Sequence, residues 1–186
     1  MLAPETLADL PMILTNSPQR WGLISRLQHW GMATLLILQW FAGEFDDAFG
    51  GSGFHVSMGI GLLLLLLLRL AWRLYAVVPE PPAQAPPWER WVARATVWAW
   101  YLLLLALPFT GLAYRHARDR DTSFFGLFNF PRLVAPDRAF AHQLEEVHEW
   151  LAWVAVALLA LHLLAAFKHQ LVDRDGLLKR MWSGQA

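Results

Sequence analysis

Four long apolar stretches decide most of what this chain can fold into. They run from Ile24 to Phe45, from Phe54 to Tyr75, from Trp91 to Tyr114 and from Val147 to Phe167. Each supplies about the ~20 residues that a helix needs to cross a hydrocarbon core ~30 Å thick. Lipid offers no partner to a bare N–H or C=O, so such stretches must be helical. The expectation is an all-α membrane protein, a four-transmembrane-helix bundle forming a single domain over residues 1–186. The links agree with it. GEFDDAFGGSG is a short polar, glycine-rich turn between the first two stretches. VPEPPAQAPPWER is proline-rich, cannot continue a helix and reads as a stiff connector. Arg115 to Gln143 is the longest loop, with room for a short amphipathic helix.

Composition narrows the chemistry. Charged residues are only 16% of the chain, whereas soluble domains carry ~25%. Eleven tryptophans suit the edges of a membrane. A formal net charge of zero gives no reason to expect a nucleic-acid partner. There is no cysteine, which removes disulfides, iron–sulfur clusters, thiolate zinc sites and the covalent C-x-x-C-H attachment of c-type haem. Any metal centre must then use histidine, carboxylate or methionine, and any haem must be bound non-covalently.

The first residues, MLAPETLADLPMILTNSPQR, lack a basic start and include Glu5 and Asp9. They read as something other than a cleavable signal, with the first stretch as an uncleaved anchor. Basic residues set the orientation. One side collects Arg20, Arg26, Arg69, Arg73, Arg90, Arg94, Lys168, Arg174, Lys179 and Arg180. The other carries Arg115, Arg118, Arg120, Arg132 and Arg138, among acids such as Glu44, Asp46 and Asp47. Both termini are expected to be cytoplasmic.

His148 and His162 lie fourteen residues apart in VHEWLAWVAVALLALHLLAAF. Fourteen helical steps bring the second side chain to within ~40° of the first and ~21 Å further along the axis. Depth then selects their partners. His29 lies towards the inner end of the first stretch, level with His162; His55 opens the second stretch at the outer side, level with His148. Two imidazoles on opposite faces of a macrocycle make a six-coordinate haem, which favours electron transfer over oxygen binding. One intramembrane histidine is as readily a packing residue or a proton relay; four matched by depth point to a functional set.

His169 competes with His162 but lies ~10 Å deeper towards the cytoplasm, beside Lys168. His116 and His142 flank the long outer loop and read as solvated or interfacial. Arg69, fourteen residues after His55, either pairs with a propionate of the inner haem or snorkels to the interface with Arg73. Gly59 and Gly61 give the second stretch a smooth patch for a macrocycle or a neighbouring helix. Pro108 and Gly111 offer a bend in the third.

These residues resemble the bacterial cytochrome b561 family, small four-helix inner-membrane cytochromes with two b haems. The matching pieces are RLQHWGMA, FHVSMGI, LRLAWRL, LALPFTGLAY, and VHEWLA with ALHLLAA. They run from Ser25 to Trp182, nearly the whole chain. The resemblance implies His29, His55, His148 and His162 as the iron ligands, the same four that depth selects. It also implies a quinone, with ubiquinone as substrate or bound cofactor. One branch of the family oxidises superoxide outside and reduces ubiquinone in the membrane. Here the outer loop RHARDRD, with Arg132 and Arg138, either concentrates such an anion or is a solvated loop whose Asp119, Asp121 and Asp137 cancel its arginines. The alternatives are a haem b subunit serving a partner dehydrogenase or hydrogenase, and a histidine-containing transporter.

Overall fold

A computed structural model describes residues 13–82 and 84–184. Helix α1 is Leu23–Glu44, α2 is Ser52–Tyr75, α3 is Pro87–Ala117 and α4 is Arg138–Lys168. A single π turn, His169–Asp173, extends α4, and a short α5, Leu177–Trp182, follows. Between α3 and α4 lies a two-stranded antiparallel hairpin, β1 Ser123–Phe124 and β2 Phe128–Asn129. The amphipathic helix expected in this loop is not among the described elements. Arg118–Pro136 instead turns through the hairpin, and helix resumes at Arg138.

Among the described residues, three helices are long and apolar enough to cross a membrane: α2, α3, and α4 with its π turn, at mean hydropathies of 2.0, 1.6 and 2.2. Helix α1 has 22 residues, but Arg26, Gln28, His29 and Gln39 interrupt its apolar run. Only 6% of the most apolar window of α4 is buried. Leu161, Leu163 and Leu164 are exposed, as a lipid-facing helix requires.

Helices α3 and α4 both overrun their apolar stretches, for local reasons. Pro86 caps α3 and Pro87 opens it, where a missing N–H costs nothing and the fixed φ already suits a helix. The end of the proline-rich connector is thus a helix start. Asp137 caps α4 by accepting from the backbone N–H groups of Ala139 and Phe140. Pro108 lies inside α3, which continues across it.

Consecutive long helices pack in order, α1 on α2, α2 on α3 and α3 on α4. The backbones of α1 and α4 stay further apart, and aromatic rings bridge them: Trp40 with Trp153 and His29 with His162. Met32, Leu62, Leu66 and Leu104 form the buried core, with Leu35, Leu36, Leu65, Trp100 and Tyr101 packed on it. The inner end is tied by polar contacts. Asn16 accepts from the Gly22 N–H and the Ser25 hydroxyl, and Trp72 donates to Ser25. Arg26 donates to the Trp182 carbonyl, and the Trp30 indole to that of Met181. The segment at Leu14 and Thr15 passes so close over Gly22 that a side chain there would strike the Thr15 backbone.

Candidate functional site

His29, His55, His148 and His162 come together as two pairs. The ring centroids of His29 and His162 are 6.2 Å apart, and those of His55 and His148 are 6.1 Å apart. Imidazoles on opposite sides of one metal, with metal–nitrogen bonds of ~2 Å, have ring centres about 6 Å apart. Both separations suit a metal held between two axial nitrogens. The pairs lie at two levels because α4 carries one member of each, and buried Ala155 sits midway between them in sequence. Met32 on α1 and Leu62 and Leu66 on α2 fall between the levels, so apolar packing separates them.

The outer pair is held by hydrogen bonds. His55 Nδ1 donates to the Gln39 carbonyl across 3.0 Å, since a carbonyl can only accept. His148 Nδ1 lies 3.0 Å from Thr110 Oγ1. His148 also has a backbone hydrogen bond to Leu107, whose carbonyl can only accept, so the ring donates and the Thr110 hydroxyl, which turns its hydrogen to the carbonyls of its own helix, is a second acceptor. Both rings therefore carry their proton on Nδ1; the His148 Nε2 lone pair is open to a ligand, and that of His55 is met by the Gln39 amide.

Two glycines make this geometry possible. A Cβ on Gly43 would come within 2.8 Å of His55 Cε1, and one on Gly111 within 2.9 Å of His148 Cε1. Gly111 therefore seats a histidine ring. Gly59 lies against the Gln39 amide of the neighbouring helix α1, one of the two parts expected of it, while Gly61 faces the Phe124 ring of the hairpin. The Gln39 amide donates to the His55 carbonyl at 2.9 Å and also reaches His55 Nε2 at 3.2 Å. Its own Oε1 is buried without a partner. That orphaned oxygen fits a side chain whose place is shared with a group on His55 Nε2.

At the inner level no hydrogen bond to a ring nitrogen of His29 or His162 occurs among the described residues. Arg69 donates to the Ser25 carbonyl at 3.4 Å, one turn before His29, and shares a small cavity with Gln28, Trp72 and Tyr101. No described carboxylate pairs with it. Gln28 Oε1 is buried there without a partner. His169 takes no part in this pair; its Nδ1 lies 2.7 Å from Asp175 and 3.2 Å from Asp173. Lys168 joins Asp173 to Glu89 of α3 at 2.6 and 2.8 Å.

The outer loop departs from expectation at His116, which is 1% exposed rather than solvated. Its Nδ1 accepts from the Leu133 N–H and its Nε2 donates to the Thr122 hydroxyl. His142 is exposed, 3.6 Å from Glu146. The expected charge cancellation is met by Arg132, which bridges Asp119 and Asp121 at 2.7 and 2.9 Å. Those two hydrogen-bonded carboxylates push its guanidinium pKa up. Asp137 is spent on capping α4, and Arg118 pairs with Glu145. Arg120 and Arg138 have no carboxylate partner among the described residues, and both line a cavity at the outer end with Arg118 and Asp137. The hairpin docks on α2 through Ser57, which donates to the Ser123 carbonyl and accepts from the Phe125 N–H.

The histidines could be found from sequence because ionisable groups are rare in apolar runs. Gln39 carried the same signal and Thr110 lies in LALPFTG, but which ring each serves depends on another helix. Comparison with known proteins gives a consistent answer. A family profile described as prokaryotic cytochrome b561 matches residues 20–184. Cytochrome b561 homolog 2 of Escherichia coli K12 is 36% identical over 181 residues, covering 91% of this chain and 95% of the relative. The probable superoxide oxidase CybB of Yersinia pestis is 32% identical over 162 residues, covering 82% and 90%. Cytochrome b561 homolog 1 of Escherichia coli K12 is 30% identical over 131 residues, covering 68% and 72%.

Proposed function

This chain belongs to the prokaryotic cytochrome b561 family, helical membrane cytochromes that transfer electrons on b-type haem, and from that premise we propose a four-span, single-domain, di-haem cytochrome of the bacterial inner membrane. Both termini are cytoplasmic in this reading. His29 and His162 hold the inner haem, and His55 and His148 hold the outer one. The observation that carries it is the pair of imidazole separations, 6.2 and 6.1 Å, at two depths. Haem supplies a one-electron couple; the protein binds it, orients it and sets its electrical surroundings. Gln39 and Thr110 fix the ring tautomers. Gly43 and Gly111 admit the rings. Arg69 supplies an unpaired cation for an inner propionate. Helix α1 completes the bundle as the first span, with its polar residues turned to the cofactors rather than to lipid.

The reaction we propose is one-electron oxidation of superoxide at the outer face, coupled to reduction of ubiquinone. The relative named as a probable superoxide oxidase supports it. So do Arg120 and Arg138, two cations free to attract a small anion. A reduced-minus-oxidised spectrum of the purified protein should show a b-type band with two haems per chain. The same protein should consume superoxide only when a quinone is present. No b-type band would sink the haem assignment. A reaction that needs a co-purified partner would favour a haem subunit serving a dehydrogenase or hydrogenase instead.

A further inference from the structure

We infer that the outer level is the lower-potential centre of the two, set by hydrogen bonds from His55 Nδ1 to the Gln39 carbonyl and from His148 Nδ1 to Thr110 Oγ1. The inference rests on the bis-histidine reading given above and deepens it. An imidazole that donates its second N–H to a fixed acceptor becomes a stronger electron donor to a metal on its other nitrogen. A stronger donor favours the oxidised metal and lowers the reduction potential. Both outer rings are held in this way, at 3.0 Å each. Neither inner ring has such an acceptor among the described residues.

Nearby cations do not offset the difference, because each level has one. Arg69 bonds to Ser25, four residues before His29. Arg115 bonds to Ser52, three residues before His55. Asp46, an anion acting on His55 with no counterpart at the inner pair among the described residues, adds to the difference in the same direction, and the hydrogen-bonding contrast is the part that Thr110 carries. Its consequence is a direction: with haem held at both pairs, His55 and His148 would favour the oxidised form more than His29 and His162, so an electron would pass from the outer level to the inner one. Thr110 is then a positioning residue, acting on the metal only through His148.

The test is a redox titration of the purified holoprotein, followed in the b-type absorption band. Wild type should resolve two components. Thr110→Val keeps the side-chain shape and removes one of the two acceptors at His148, leaving the Leu107 carbonyl; it should move the lower component alone to higher potential. Thr110→Ser should restore it. His162→Ala, which leaves only the outer pair, should retain the lower component and lose the higher. A Thr110→Val shift in the higher component, or none in either, overturns the inference and leaves the di-haem reading standing. So does a His162→Ala protein that retains the higher component. Absence of any b-type band in wild type overturns the reading and the inference together. Should Thr110→Val fail to load haem, the His162→Ala result decides alone.

Discussion

An axial imidazole is useful only when its ring is held, and in the outer pair that hold begins with two residues that have no side chain. Gly43 and Gly111 let the rings of His55 and His148 lie against neighbouring helices, within reach of their acceptors. Gly111→Val should therefore cost ~1–3 kcal/mol by overpacking and halve the haem content, the outer centre being lost. Haem per protein and a thermal melt measure this; full content with unchanged stability would mean that the ring does not need that space. The four histidines were legible in the sequence because a titratable group inside an apolar run stands out whatever surrounds it. Gly43 and Gly111 were not. Gly43 read as the edge of a turn and Gly111 as a bend, since a glycine's neighbour on another helix leaves no trace in its own segment.

At the scale of elements, the outer loop is held by one buried side chain. His116, on the last turn of α3, bonds both sides of the loop through Thr122 and Leu133. His116→Phe keeps an aromatic ring but leaves a hydroxyl and an N–H without partners, each worth ~1–3 kcal/mol when buried. The expected outcome is a folded protein whose segment 118–137 is cut faster by protease than in wild type. An unchanged cleavage rate would mean that other contacts, such as Ser57 with the hairpin, hold the loop. Sequence reading located this loop but allowed it a short helix and read His116 as solvated or interfacial. Hydropathy marks where a chain leaves lipid, not where helix ends, so α4 begins nine residues before its apolar stretch. The signal that was available is Asp137, an N-cap ahead of a polar turn. The hairpin needs pairing with a segment five residues away and docking on α2, and neither is visible in composition.

Across the whole molecule, three sides of the bundle close by direct helix packing and the fourth by rings. Helices α1 and α4 meet through His29 with His162 and Trp40 with Trp153. A group bound between α4 and the other helices would then act as packing, stabilising the folded state by its binding free energy. Haem-depleted protein should melt at a lower temperature than loaded protein in the same detergent; equal melting temperatures would show that the bundle does not depend on the group. The order of the long helices and the two levels of histidine pairs were readable from sequence, because helical rise converts residue number into distance. How widely α1 stands from α4 was not, since it follows from side chains that meet across the bundle. The apolar layer of Met32, Leu62, Leu66 and Leu104 between the two levels has an electrical consequence. Its four side chains carry no group that could pass a proton. Each electron crossing it therefore moves a bare charge through part of the membrane field, and works with or against a voltage worth ~2.3 kcal/mol per 100 mV for full passage. On the proposed reading the turnover of this cytochrome is thus a current, and the energised state of the membrane acts as its brake or its throttle.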